Sequence, residues 1–195
     1  MKKVFVLLAE GFEEIEALTP VDYLRRAGAE LVTAGLGGNF IKGSHNICVQ
    51  SDCVLDETLI DKDWDAVIVP GGGLGSKNLS ASQLVGNLLK EQSKKGTLIC
   101  AICAAPVVVL AKNGLLKNKN YTCYLEMEKD IETFAGADNK EAIAGAKHST
   151  SRVVVDGKII TARGAGVAEE FAFAIVEALF GTKAKEDLRA AIVAR

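Results

Sequence analysis

The chain has 195 residues, of which 49% are apolar and 25% charged, and its formal net charge is −2. That length and apolar content suit one folded domain spanning 1–195 and exclude a disordered chain, while the near-neutral charge gives no reason to expect nucleic acid or an anionic membrane as partner. The early apolar run from Val4 to Ala9 is too short for a signal-peptide core, and no stretch reaches membrane-spanning length, so the expectation is a soluble cytoplasmic protein.

Strand and helix signals alternate along the chain. Residues 3–8 read as a buried strand. Residues 13–27 read as a helix with Ile15, Leu18, Val21 and Leu24 on its buried face and Gly28 as a stop. A second strand is expected at 30–34, and a glycine-punctuated hairpin between 35 and 50. The apolar run 66–70 is a third buried strand, ending in Gly71, Gly72 and Gly73. These glycines match neither dinucleotide nor Walker spacing, and the next clear helix is expected only at 82–95. They form either a tight turn or a set of backbone N–H groups aimed at developing negative charge.

Residues 96–102 read as a strand that runs into an apolar helix, with Cys103 at the bend. A bend there directs one side chain outward at the carboxyl edge of the sheet, where open α/β sheets place their chemistry. Unpaired N–H groups at the following helix would favour thiolate over thiol. Short strand and helix pieces are expected at 120–124 and 129–134, a hairpin at 153–160 around Asp156-Gly157, and helices at 167–180 and 184–193. The alternation implies a mainly parallel sheet with helices on both faces.

Five cysteines without a secretion signal read as free thiols. Cys100 and Cys103 match C-x-x-C, but residues three apart on a strand face opposite ways, roughly 10 Å apart, beyond disulfide reach. No second pair completes a zinc site, and two histidines are too few for a histidine-rich one, so no metal is expected. His45 and His148 read as surface loop residues. Glu16 lies near the margin of the buried face of its helix, where Pro20 has no N–H to return to its carbonyl. A carboxyl held near the thiol could exchange a proton with it. Arg163 follows a strand and reads either as a surface turn residue or as a ligand for an anion or carboxylate at the same sheet edge.

Taken in order, Ala9 to Glu16, Pro20 to Gly28, Val69-Pro70-Gly71-Gly72, Ala101 to Pro106 and Thr161 to Gly164 resemble the ThiJ/PfpI superfamily, in particular its DJ-one (protein deglycase) branch. The resemblance covers nearly the whole chain. It implies a flavodoxin-like three-layer α/β sandwich, a homodimer, and no metal or organic cofactor. It matches Cys103 to the reactive cysteine and Glu16 to the glutamate that bonds it and lowers its pKa. Gly72 and Ala104 fall at the oxyanion or anion contacts, and Arg26 and His45 at positions beside the dimer-facing side of the site, where His45 replaces an arginine. Tyr124 falls where a histidine is kept near the cysteine, so a Cys–His dyad and peptidase activity are not expected, and Tyr124 becomes a candidate hydroxyl donor. The function implied is glutathione-independent conversion of α-oxoaldehydes such as methylglyoxal, or reversal of early glycation adducts. The competing reading is an oxidative-stress sensor or redox chaperone built on Cys103.

Overall fold

A computed structural model describes residues 1–136 and 139–194; residues 137, 138 and 195 of the expected 1–195 domain lie outside the described set. The strands are β1 (Lys3–Leu8), β2 (Glu30–Gly35), β3 (Phe40–Lys42), β4 (Cys48–Gln50), β5 (Cys53–Val54), β6 (Ala66–Val69), β7 (Leu98–Ile102), β8 (Asn120–Tyr121), β9 (Lys147–His148), β10 (Val153–Asp156) and β11 (Ile159–Ala162). The α-helices are α1 (Glu14–Arg26), α2 (Gly73–Ala81), α3 (Gln83–Lys94), α4 (Ile131–Ala135), α5 (Ala168–Phe180) and α6 (Thr182–Ala191). The main sheet runs β10-β11-β7-β6-β1-β2-β5 and is parallel except for the β10–β11 hairpin. This is the flavodoxin-like α/β architecture.

Alternation along the central strands divides the core in two. Phe5, Leu7, Val67, Val69, Ile99 and Ala101 face Leu79 of α2 and Val85, Leu88 and Leu89 of α3. Val4, Val6, Leu8, Ile68, Cys100 and Ile102 face Ala17, Val21 and Leu24 of α1 and Phe171 and Ile175 of α5. Strands buried on both faces read as unbroken apolar runs, which is why β1, β6 and β7 were legible. Chain order reverses on either side of β1, so the loops after β1, β6 and β7 converge at one carboxyl edge.

Three expectations need correction. Helix α2 begins directly at Gly73, with Gly72 as its N-cap, rather than after a long loop. The buried face of α1 carries Glu14, Glu16, Ala17, Pro20, Val21 and Leu24, while Ile15 is 55% exposed. The apolar pattern of 15, 18, 21 and 24 mixes two faces: Ile15 and Leu18 belong to an outward surface with Tyr23 and Ala168, and Glu16 sits inside. The segment after Cys103, Pro106–Ala111, is a fully buried π-helical turn rather than a regular α-helix. Such wide turns recur beside functional sites. Among the described residues, no helix is long and apolar enough to cross a membrane.

Candidate active site

Cys103 closes β7 in the left-handed region, at φ 65°. Only a tightly held turn keeps a non-glycine residue there, at a cost of order 1–3 kcal/mol. Two hydrogen bonds hold it: its N–H donates to the Ala162 carbonyl (2.9 Å), and its carbonyl accepts from the Tyr124 N–H (2.8 Å). The elbow is thereby fastened to β11 on one side and to the segment after β8 on the other. The thiol points into the space between the β6–α2 turn and the entry of α1.

Glu16, 1% exposed, reaches the same space from α1. Glu13 caps the helix by accepting the Glu16 N–H at 2.8 Å. The Glu16 carboxylate accepts from the Gly71 N–H at 3.0 Å and from the Ala165 N–H, and it hydrogen-bonds the Cys103 thiol. A Cβ at Gly71 would land on Glu16 Oε2 and within 2.5 Å of Cys103 Cβ, so only glycine lets strand end, acid and thiol meet. Gly72, at φ 92°, turns its N–H toward the sulfur, and Ala104 supplies a second N–H. The turn is stitched to α1 by Glu13 N–H to the Gly71 carbonyl (3.1 Å) and Gly75 N–H to the Gly11 carbonyl (3.0 Å).

Burial raises the pKa of both groups. Glu16 rises to about 7, because desolvation and the nearby Glu13 charge outweigh the hydrogen bonds it accepts. Cys103 rises to about 12, because burial and the adjacent Glu16 charge outweigh the two backbone N–H groups. Against the acidifying pull of the Gly72 and Ala104 N–H groups that the sequence suggests, the structure sets burial and the Glu16 charge. Each group makes ionisation of the other harder, so the two titrate as a coupled pair. The thiol opens onto a cavity of about 280 Å³ lined by Gly73, Lys77, Ala104, Val108, Tyr124, Met127 and Phe134. A larger surface concavity of about 560 Å³ lies over Ile15, Leu18 and Tyr23 and does not reach Cys103. Of the two, the smaller one is the one that Cys103 and Ala104 line, with Glu16 behind the thiol rather than in the cavity wall.

Residues 2–178 match the model of the DJ-1/PfpI family. The chain belongs to that family. Protein dj-1beta of Drosophila melanogaster is 41% identical over 189 residues, covering 96% of this chain and 94% of its own. A Caenorhabditis elegans protein named glutathione-independent glyoxalase DJR-1.2 is 34% identical, with coverage of 96% and 94%. A structure of oxidised Toxoplasma gondii DJ-1 superposes with a TM-score of 0.86 at 32% identity, covering 100% of this chain and 99% of its own.

Within this DJ-1/PfpI site the structure brings together Cys103, Glu16, Gly72 and Ala104. Tyr124 lines the cavity and packs its ring over Gly164, and its backbone rather than its hydroxyl is what bonds the elbow. Arg163 donates to the Thr150 carbonyl at 3.3 Å, beside Cys123 rather than Glu16. Within one chain Arg26 lies at the far end of α1, ten residues or roughly 15 Å from Glu16, paired with Asp22 at 2.7 Å. His45 is the exposed loop residue expected, and its ring Nδ1 lies 2.9 Å from Glu14 Oε2. Sequence reasoning did not single out Gly71 as the donor to Glu16, nor Ala165 or Lys77. Gly71 carried a signal, a glycine at a strand's carboxyl end; Ala165 and Lys77 carried none.

Proposed function

We propose that the protein is a glutathione-independent glyoxalase acting on small α-oxoaldehydes through Cys103. The observation that carries this reading is a buried carboxylate with a pKa near 7 in hydrogen-bond contact with a thiol at a strained elbow. A base poised near operating pH transfers protons most effectively. Sulfur attacks the aldehyde carbon as its proton passes to Glu16, and the Gly72 and Ala104 N–H groups steady the developing negative charge. Protonation of oxygen gives a hemithioacetal. Glu16 then takes the proton from the former aldehyde carbon and returns it to the neighbouring carbon, while the hydroxyl proton passes from the first oxygen to the second, leaving a hydroxyacyl thioester. Water cleaves the thioester, releasing a 2-hydroxy acid and restoring the thiol. Lys77 at the cavity rim places a cation beside the departing carboxylate. The name of the C. elegans relative supports the reaction class. The same attack on early glycation adducts would be deglycase activity.

The test is lactate formation from methylglyoxal without glutathione. Wild type turns over, and Cys103→Ala and Glu16→Ala do not. Equal rates in wild type and Cys103→Ala sink the proposal.

A second reading, an oxidation sensor, is favoured by the same two N–H groups, which suit a sulfinate as well as an oxyanion. Mild peroxide followed by mass spectrometry separates the two roles. Two oxygens added selectively at Cys103 support the sensor, and oxidation spread evenly over the five thiols opposes it. We further infer a cytoplasmic homodimer, with the exposed apolar face of α1 as the contact.

A further inference from the structure

A second constellation lies outside this site. The donor atoms of Cys123, Glu128 and His148 all lie within 4.8 Å of one another. They come from three separate pieces of chain. Cys123 follows β8, Glu128 stands in the short 3-10 turn Met127–Asp130, and His148 ends β9. Pairing of Tyr121 with His148 in the β8–β9 ladder draws the distant histidine to the cysteine. The Tyr121 ring packs against the imidazole at 5.6 Å between centroids, which fixes its orientation.

The cluster is unsatisfied as it stands. Glu128 Oε2 is shut off from solvent and has no hydrogen-bond partner among the described residues. Its separation from His148 Nε2 is 3.9 Å, too long for a hydrogen bond. Donors around a tetrahedral ion bound at the usual Zn–N, Zn–O and Zn–S lengths stand roughly 3.3–3.6 Å apart. The gap between Glu128 and His148 is therefore within a few tenths of an ångström of what an ion between them requires, and a partly exposed imidazole and a turn residue can close it.

We infer that Cys123, Glu128 and His148 form a binding site for a divalent transition metal of the zinc class. One thiolate, one imidazole and one carboxylate select zinc or cobalt over magnesium or calcium. Three protein ligands leave a fourth position, and exposure of His148 places it toward solvent. Binding displaces the Cys123 proton to solvent, and sulfur donates the electron pair without change of oxidation state. By contrast, the carboxylate of Glu14, in the other acid–histidine cluster (Glu13, Glu14 and His45), already accepts from the His45 and Ile47 N–H groups and meets the His45 ring, and that cluster offers no sulfur. An ion at Cys123 would also fasten the segment that carries Tyr124 and Met127, two walls of the Cys103 cavity.

The test is titration of the purified chain with Co²⁺, read by absorption. A thiolate-to-cobalt charge-transfer band, saturating at a single equivalent and displaced by Zn²⁺, is expected. Cys123→Ser removes the band. His148→Gln, at an exposed position that leaves the fold intact by circular dichroism, removes saturation at a single equivalent. Cys103→Ser leaves the titration unchanged. Absence of the band, its survival in both Cys123→Ser and His148→Gln, or its loss in Cys103→Ser overturns the assignment.

Discussion

Glu16 and Glu14 stand two residues apart and titrate in opposite directions. Desolvation pushes Glu16 up to about 7. Desolvation also works against ionisation of Glu14, but there the hydrogen bonds from His45 and Ile47 win and hold the group at about 2. A carboxyl with a raised folded pKa costs stability as pH climbs above its unfolded value. For Glu16 that cost accrues from about pH 4.5 through 7 and amounts to something on the order of 3 kcal/mol above that window. Glu14 does the reverse: its contribution is present above about pH 4.5 and drains away as pH falls toward 2. Glu16 is thus held where its charge is disfavoured, as the proposed base requires. Replacement of Glu16 by Gln is expected to raise Tm at pH 8 and to flatten the decline of wild-type stability between pH 5 and 8. The same substitution lowers turnover by about 10²–10⁴-fold, and wild-type turnover rises with pH through about 7 as the carboxylate becomes available. A Glu16→Gln protein that follows the wild-type stability curve, or wild-type activity flat from pH 5 to 8, would show that the carboxylate is not held against its preference.

At the scale of elements, the site depends on one turn. Between β6 and α2 the chain reverses in three residues, and Gly71 lies so close to Glu16 and Cys103 that any side chain there collides with both. Gly71→Ala should therefore lower turnover sharply and destabilise the fold by about 1–3 kcal/mol, the usual cost of overpacking a rigid site. Ala at Gly73, where a Cβ meets nothing within 4 Å, should leave stability close to wild type. Equal melting temperatures for the two variants would refute the crowding argument. This turn also marks how far the sequence was legible. Strands β1, β6 and β7 were readable because burial on both faces leaves an unbroken apolar run, and Cys103 was readable as the residue where such a run breaks. Helix α1 was placed correctly but misphased, because two apolar surfaces, one inward and one outward, are superposed on one helical period. The forces on the Cys103 proton were only partly legible for a related reason. Sequence shows the helix and acid beside a thiol, but it does not show the burial and the ionised neighbour that oppose the two N–H groups. Contacts made across long sequence distances, such as Ala165 to Glu16 and His148 to Cys123, left no local trace.

Across the whole molecule, the outward apolar face of α1 is the contact that the proposed homodimer would use. Ile15 is 55% exposed, although every apolar residue of the central strands is buried, and it stands with Leu18, Tyr23, Ile47 and Ala168 around a shallow concavity. Tyr23 is anchored there by its hydroxyl, which donates to Glu169 at 3.0 Å, so the surface is set by α1 and α5 together. An apolar patch on a two-helix face suits a self-complementary contact, in which the patch of one copy covers that of the other. Burying a side chain the size of Ile15 contributes about 1.5–3 kcal/mol, and two-fold symmetry counts it twice. The patch lies over the outer side of the helix whose inner side carries Glu16, so association would stiffen the element that positions the base. Light scattering after size exclusion should give a dimer mass for wild type and a monomer mass for Ile15→Glu. The variant should keep its far-ultraviolet spectrum, because Ile15 contributes nothing to either half of the core. If the dimer stiffens α1, monomeric Ile15→Glu loses turnover with little change in KM, since the cavity residues lie on other elements. A monomeric wild type, or a variant that stays dimeric, would remove this face from the assembly and leave the catalytic pair to be positioned by one chain alone.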